Sequence, residues 1–153
     1  MISKIRDEIL SFFPPSLEEI KSVDSSVWNF AEEIRIRVGQ PIRIKSASDD
    51  FSLKYIVSQI DLLKLLENFS NNSIYSVQSD INNGYLTIKG GHRVGISGTS
   101  IIEDDKVKNI KFVSSLNIRI AREVCNCADF VLSKVAFDGN YKNTLIISPP
   151  RMW

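Results

Sequence analysis

Two arginines in strand-like segments are the residues of this sequence best suited to chemistry. Arg93 lies in the block Gly90–Gly98, which holds four glycines, and Arg119 lies in the alternating segment 116–121. Because successive strand residues point to opposite faces, each arginine is expected on a polar face, opposite the apolar residues beside it. Glycines within a strand indicate a bend or a close approach by another group. The pattern predicts a two-arginine clamp for a phosphate; the alternative is a pair of solvated arginines.

Other residues with chemical potential carry weaker signals. Arg122, at a predicted junction of strand and helix, is a third candidate for phosphate contact, or it pairs with Glu19 or another surface acid. His92 has no Ser, Cys or Asp partner implied nearby, so we expect a structural histidine. Cys125 and Cys127 are one residue apart in a chain with one histidine. That set does not fit a zinc site, so we expect no metal and reduced, partly buried thiols on a helix.

The end of the chain resembles the start of a nucleotide-binding loop. An apolar strand over 144–148, of the kind buried on both faces, leads into Ser148, Pro149 and Pro150. A P-loop needs a later glycine, lysine and hydroxyl, but this sequence continues with Arg-Met-Trp and stops. We therefore expect a P-loop remnant, with neither triphosphate binding nor ATP hydrolysis by this chain itself.

Composition sets the class of protein. The 153 residues include 19 basic and 18 acidic ones, and 43% are hydrophobic, which fits a globular domain rather than a disordered tail or a broadly basic nucleic-acid binder. Residues 84–122 nevertheless carry seven basic against three acidic groups, which indicates an anion-facing surface. No apolar run approaches the ~20 residues of a membrane span, and no signal peptide begins the chain, so a cytoplasmic location is expected.

The periodicities predict an α+β fold with N-terminal helices and a mixed or antiparallel sheet that carries helices on one face. Helices are predicted over Ile2–Phe13, from a capping box at Ser16–Glu19, over 58–69 with an apolar stripe of Ile60, Leu63, Leu66 and Phe69, over 74–81, and over about 122–137. Strands are predicted as a hairpin over 32–45, then at 55–57, 85–89, 93–97, 107–113, 116–121 and 144–148.

Four blocks resemble the stage III sporulation AA family of ATPases: residues 32–41, 84–95, 116–123 and 145–150. This family belongs to the secretion ATPases of type II and type IV systems and pilus motors, which are hexameric rings. The resemblance implies an N-terminal α+β domain over 1–122, followed by a linker helix and the first strand of a truncated RecA-like motor over 123–153. It also implies that Arg93, Arg119 and Arg122 contact the phosphates of ATP, which the motor domain of the full-length protein holds with Mg.

The resemblance further implies the partners: the protein's own ATPase domain, neighbouring subunits and other sporulation channel components, with no nucleic acid. The expected place is the mother-cell cytoplasm, peripheral to the outer forespore membrane. Our leading hypothesis is therefore a non-catalytic regulatory and assembly domain that supplies arginines to a nucleotide site. One alternative is a module for single-stranded nucleic acid, with Tyr85 and Phe112 as stacking platforms. Another is an adaptor that docks through the Ile2–Phe13 helix.

Overall fold

The N-terminal segment folds into short helices, with two prolines after the first and apolar residues buried along the segment. The computed structural model describes residues 2–70, 77–122, 125–137, 140–141, 143–145 and 147. Its first helix, α1, spans Ile2–Leu10. A 3₁₀ helix over Pro15–Ser22 follows directly after Pro14, and α2 spans Ser25–Phe30 behind an Asp24 cap. Proline has no N–H to continue the first helix, so α1 ends before the two prolines. Ile9, Phe12 and Phe13 are buried, so the apolar stripe of this segment packs inside the chain itself.

A six-stranded sheet, in which every described pairing is antiparallel, confirms the predicted α+β class. Its strands are β1 (Glu33–Arg37), β2 (Pro41–Lys45), β3 (Asp50–Ile56), β4 (Tyr85–Thr87), β5 (Arg93–Glu103) and β6 (Lys106–Arg119). They lie side by side in the order β3-β2-β1-β6-β5-β4. β1 and β2 form the predicted hairpin, and β5 and β6 turn at Asp104 and Asp105, both at positive φ.

One face of the sheet carries the core and the other is open. Alternate residues of the strands are buried beneath the helices, together with Trp28 of α2 and leucines of α3 (Gln59–Phe69). The intervening residues on β1 and β2 are half-buried or exposed, and all of them except Pro41 are charged. The buried sheet residues are Ile34, Ile36, Ile42, Ile44, Leu86, Val94, Ile96, Leu116 and Ile118. A half-solvated antiparallel sheet of this kind presents its polar side chains to whatever meets the open face.

Two helix predictions need correction in detail. The capping box belongs to α3, where Ser58 and Asp61 cap each other's backbone N–H; the Ser16 hydroxyl instead donates to the Asp61 carboxylate. On α3, Leu62, Leu65, Leu66 and Phe69 are buried, whereas Ile60 and Leu63 are exposed. Apolar residues at consecutive positions of α3 allow two different faces of the helix to be the buried one, and packing against the sheet decides between them. α4 spans Gln78–Asn82, and residues 74–76 of the predicted helix lie outside the described residues.

The edge strand β3 is covered by a carboxylate. Glu19 accepts hydrogen bonds from the backbone N–H groups of Lys54 at 3.0 Å and Tyr55 at 2.8 Å. Unpaired N–H groups on an edge strand are a template for pairing with another chain. Glu19 therefore satisfies part of this edge from within the chain.

Contacts divide the chain into two units, residues 1–121 and 122–153. The second unit contains α5 (Asp129–Val135) and the short strands β7 (Ala136–Phe137) and β8 (Asn140–Tyr141). The predicted helix over 122–137 is thus shorter than expected, because Asn126 adopts a positive φ in a turn before it. Cys125 and Cys127 are exposed free thiols there, not partly buried helix residues.

The predicted buried strand over 144–148 is not formed in the residues that are described. Residues 143–145 and 147 belong to no strand, and Leu145 and Ile147 are 83% and 85% exposed. A strand buried on both faces needs neighbouring strands and two covering layers. Among the described residues of the second unit, one helix of seven residues and two strands of two residues offer neither.

Candidate phosphate-contact site on the open face of the sheet

The structure brings Arg93 and Arg119 together. β5 and β6 pair with Arg93 directly opposite Arg119, so both side chains leave the same face of the sheet. Both are exposed, while Val94 and Ile118, which also face each other, are fully buried. Directly opposed residues in an antiparallel pair have Cα atoms about 5 Å apart. The two guanidinium groups therefore project from adjacent points toward solvent, as the alternation in the sequence predicts.

Neither arginine is neutralised by a salt bridge within the described part of the chain. The acids on the same face serve other cations: Glu33 accepts from Arg35 at 2.5 Å, and Asp50 accepts from Arg43 at 3.0 and 2.6 Å. The hydrogen bond from Arg35 is the main reason that the pKa of Glu33 lies below its ordinary value. Two like charges directly opposite each other destabilise a sheet. Their positions suit an anion that both could contact.

Tyr85 orients one of the two arginines. The Arg93 guanidinium lies over the Tyr85 ring, 3.9 Å from its centroid. Tyr85 belongs to the neighbouring strand β4 and pairs there with Gly95 of β5. A cation stacked on an aromatic face is attracted by the ring and keeps its N–H edge available. The contact also covers that face of the Tyr85 ring, which the nucleic-acid alternative would need for stacking. Phe112, the other proposed platform, is 78% exposed and adopts a positive φ.

Gly90, which precedes Arg93 by three residues, has a structural cause within the chain. A Cβ on Gly90 would lie 2.7 Å from His92 Nε2 and 2.8 Å from Glu8 Oε2, and Gly90 adopts a φ of +88°. At Gly90 the close approach is therefore made by groups of this chain, at the turn between β4 and β5. Gly95, two residues after Arg93, has no atom closer than 3.8 Å to the position of a Cβ, so this explanation does not extend to Gly95.

His92 is a buried structural histidine at this turn. Its Nδ1 accepts the backbone N–H of Ala121 at 3.0 Å, and its side chain is 1% exposed. The bond holds the chain two residues beyond Arg119, so His92 fixes the end of β6 against the turn that precedes Arg93. It positions the strands that carry both arginines.

Arg122 belongs to the second unit, and the other predicted site residues lie outside the described part of the chain. Arg122 is the first residue of the second unit and is half-buried. Ser148, Pro149 and Pro150, the predicted P-loop remnant, lie outside the described residues.

Sequence reasoning missed three arginines on the same face. β1 and β2 add Arg35, Arg37 and Arg43, which the register carries to the open side with Arg119 and Arg93. The signal was present, because the hairpin alternates isoleucine with arginine or lysine over nearly its whole length. Only the pairing of β1 with β6, which are far apart in the sequence, makes the two basic segments one surface.

Comparison with known proteins identifies the family. The model of the family described as "Sporulation stage III, protein AA" matches residues 3–153. The chain belongs to the stage III sporulation protein AA family. It is 34% identical over 146 residues to the stage III sporulation protein AA of Bacillus subtilis (strain 168), a match that covers 95% of this chain. The match covers 47% of that relative, so the chain spans about half the length of the curated relative.

A solved structure is more distantly similar to this member of the family. The VirB11 ATPase of the Brucella suis type IV secretion system, crystallised with sulphate, aligns over 95% of this chain and 40% of its own at 15% identity. The TM-score of this alignment is 0.42. Among the described residues of the present chain, no helix is long and apolar enough to cross a bilayer.

Proposed function

We propose that this chain is a regulatory and assembly domain of a stage III sporulation AA-type secretion ATPase. In this proposal Arg93 and Arg119 complete a nucleotide site whose phosphate-binding loop belongs to a motor domain. Family membership and coverage of about half of the B. subtilis relative support the place of the chain within a larger protein. The observation that carries the proposal is the direct pairing of two exposed arginines that lack salt bridges in the described part of the chain.

The chemistry assigned to the two arginines is electrostatic. Transfer of a γ-phosphoryl group spreads negative charge over its oxygens, and arginine supplies planar N–H donors that match them. A pair of guanidinium groups held at the sheet surface before the reaction would stabilise that charge without reorganising. ATP and Mg²⁺ are assigned to the motor domain, and hydrolysis is not assigned to this chain. Arg122 remains a third proposed phosphate contact.

The proposed partners follow from the same assembly. They are the motor domain of the same protein, the neighbouring subunits of a hexameric ring and other components of the sporulation channel. The proposed location is the mother-cell side of the outer forespore membrane.

ATPase turnover tests the proposal in a protein where this chain continues into a complete P-loop motor domain. Arg93→Ala and Arg119→Ala are each expected to lower turnover about a hundredfold, the typical loss on removing one preorganised donor. Lys64→Ala, an exposed cation on α3, is the control and should keep turnover within about twofold. Wild-type turnover in both arginine variants, with the fold intact by circular dichroism, would contradict the proposal.

Binding of single-stranded nucleic acid is the second candidate, because six cations share the open face of the sheet: Arg35, Arg37, Arg43, Lys45, Arg93 and Arg119. It predicts an affinity for oligonucleotides that falls steeply with salt, with Phe112→Ala weakening binding. The absence of binding at low ionic strength would remove it. The adaptor hypothesis has less support, since Ile9, Phe12 and Phe13 are buried within the chain.

A further inference from the structure

A groove of about 320 Å³ lies on the open face of the sheet, and neither Arg93 nor Arg119 lines it. Register places Arg37 opposite Ser115 and Ser115 opposite Ser97, and it places Arg35 opposite Asn117. Ser115 and Asn117 precede Arg119 by four and two residues of β6, which corresponds to about 13 and 7 Å along an extended strand, and Glu33 lies directly opposite Arg119. The volume is near the lower limit for small-molecule pockets, so the groove has room for a small ligand. Its polar lining comprises Arg35, Arg37, Gln40, Arg43, Ser97, Ser115 and Asn117, with Glu33 at its side.

The guanidinium groups in this groove retain hydrogen-bond donors. Arg35 uses its Nε on Glu33, and Arg43 uses its Nε and Nη2 on Asp50. A guanidinium carries five N–H groups, so both Nη of Arg35 and the Nη1 of Arg43 stay available. The two carboxylates fix the orientation of these side chains without using all their donors.

Arg37 supplies the excess charge of the groove. It is exposed and makes no salt bridge with any described residue. Glu33 and Asp50 balance two of the three arginines, which leaves a net positive charge centred on β1. This charge and the free donors favour a small anion with several oxygen atoms.

Asn117 distinguishes among such anions. Its Oδ1 is a buried acceptor with no hydrogen-bond partner among the described residues. A buried acceptor without a donor is costly, so a ligand that carries its own O–H group would gain by donating to it. Sulfate and ionised carboxylates only accept hydrogen bonds. Inorganic phosphate has the same tetrahedral shape as sulfate, and at neutral pH it keeps at least one O–H.

We propose that this groove is a binding site for inorganic phosphate, separate from the nucleotide contact assigned to Arg93 and Arg119. Arg37, with the free Nη groups of Arg35 and Arg43, binds the phosphate oxygens. Asn117 Oδ1 accepts the phosphate O–H, and Ser97 and Ser115 lie across from Arg37 in the register of the sheet. The site distinguishes phosphate from sulfate by this one hydrogen bond.

Calorimetric and NMR titrations of the 153-residue chain with phosphate and with sulfate, at neutral pH and low ionic strength, test the proposal. Phosphate is expected to bind about tenfold or more tightly than sulfate, the value of one hydrogen bond to a charged ligand. Arg37→Gln should weaken phosphate binding about tenfold, and Lys64→Gln, which removes one charge elsewhere, should change it less than about twofold. Asn117→Ala should bring the affinities for phosphate and sulfate to within about twofold of each other.

Three results would overturn the proposal. One is equal affinity for phosphate and sulfate in the wild-type chain, which would mean that the groove attracts anions by charge alone. Another is an equal loss of phosphate binding in Arg37→Gln and Lys64→Gln. The third is phosphate-induced NMR shifts that avoid Arg35 and Arg37 of β1. Thermal unfolding of each variant verifies its fold, and Arg37 is exposed, so its replacement leaves the core intact.

Discussion

Replacing Asp61 by asparagine is expected to remove much of the stability that joins α3 to the rest of the N-terminal unit. Asp61 is 2% exposed, and its carboxylate accepts from Ser16 Oγ at 2.5 Å, Ser58 Oγ at 2.6 Å, the Ser58 N–H at 2.9 Å and Tyr55 Oη at 3.0 Å. Three segments therefore meet at one buried anion that has only neutral donors around it. An amide would turn one acceptor into a donor and leave at least one hydroxyl without its bond.

The contribution of the Asp61 carboxylate to the free energy of unfolding follows from its pKa. Burial alone would raise this pKa, but the hydrogen bonds from Ser16, Ser58 and Tyr55 outweigh it and lower the pKa from 3.8 to about 2. At 1.36 kcal/mol per pKa unit, this shift contributes on the order of 2 kcal/mol to the free energy of unfolding. Because the folded pKa is the lower one, the contribution is complete above 3.8 and is lost as pH falls from there toward 2.

Urea denaturation followed by circular dichroism, at neutral pH and at a series of acidic pH values, measures this contribution. Asp61→Asn is expected to lower the free energy of unfolding at neutral pH by about 2 kcal/mol or more. The difference from wild type should shrink as the pH falls below 3.8. Asp7→Asn, an exposed position on α1, is the control and should change stability by less than about 0.5 kcal/mol. The reasoning would be refuted if Asp61→Asn were as stable as wild type at neutral pH. It would also be refuted if the difference in the free energy of unfolding were the same at every pH.

Three further predictions concern the sheet. A Cβ on Gly98 would lie 2.9 Å from Ile110 Cγ2 and from two β6 carbonyl oxygens, so Gly98→Ala should lower the free energy of unfolding in urea by about 1–3 kcal/mol. The control Gly95→Ala, where the nearest atom is 3.8 Å from the Cβ position, should lower it by less than about 0.5 kcal/mol. Equal losses in the two variants would contradict the geometry. Glu19→Ala should speed hydrogen exchange of the two β3 backbone N–H groups that donate to Glu19, whereas Glu18→Ala should leave their exchange unchanged. Phe112→Asn should raise the free energy of unfolding by about 0.5 kcal/mol, since asparagine tolerates the φ of +49° better; a loss would mean that the exposed ring makes an important contact.

The parts of the fold that the sequence could predict are those with local causes. Alternation between apolar and charged residues in 33–45 and around Arg93 and Arg119 gives the strands and the side of the sheet that each residue faces. The turn at Asp104 and Asp105 and the cap at Ser58 are likewise encoded by the residues that form them.

The parts that could not be predicted depend on distant neighbours. Ser16 matches a capping box as well as Ser58 does, but its hydroxyl binds Asp61, 45 residues further along the chain. The exposure of Ile60 and Leu63 depends on which side of α3 meets the sheet. The open cationic face likewise exists because β1 pairs with β6, and no local pattern specifies that pairing. A phosphate role for Arg93 and Arg119 stays a prediction, since alternation fixes their direction and not what they contact.

The most direct test of the proposed nucleotide contact is a structure of a motor-complete form of this protein with a non-hydrolysable ATP analogue. The measured quantity is the distance from the guanidinium nitrogens of Arg93 and Arg119 to the γ-phosphate oxygens. Our account predicts at least one N–O distance of about 2.7–2.9 Å from each arginine, as in a charge-assisted hydrogen bond. Nucleotide bound in the P-loop with both guanidinium groups facing solvent, more than about 6 Å away, would contradict it.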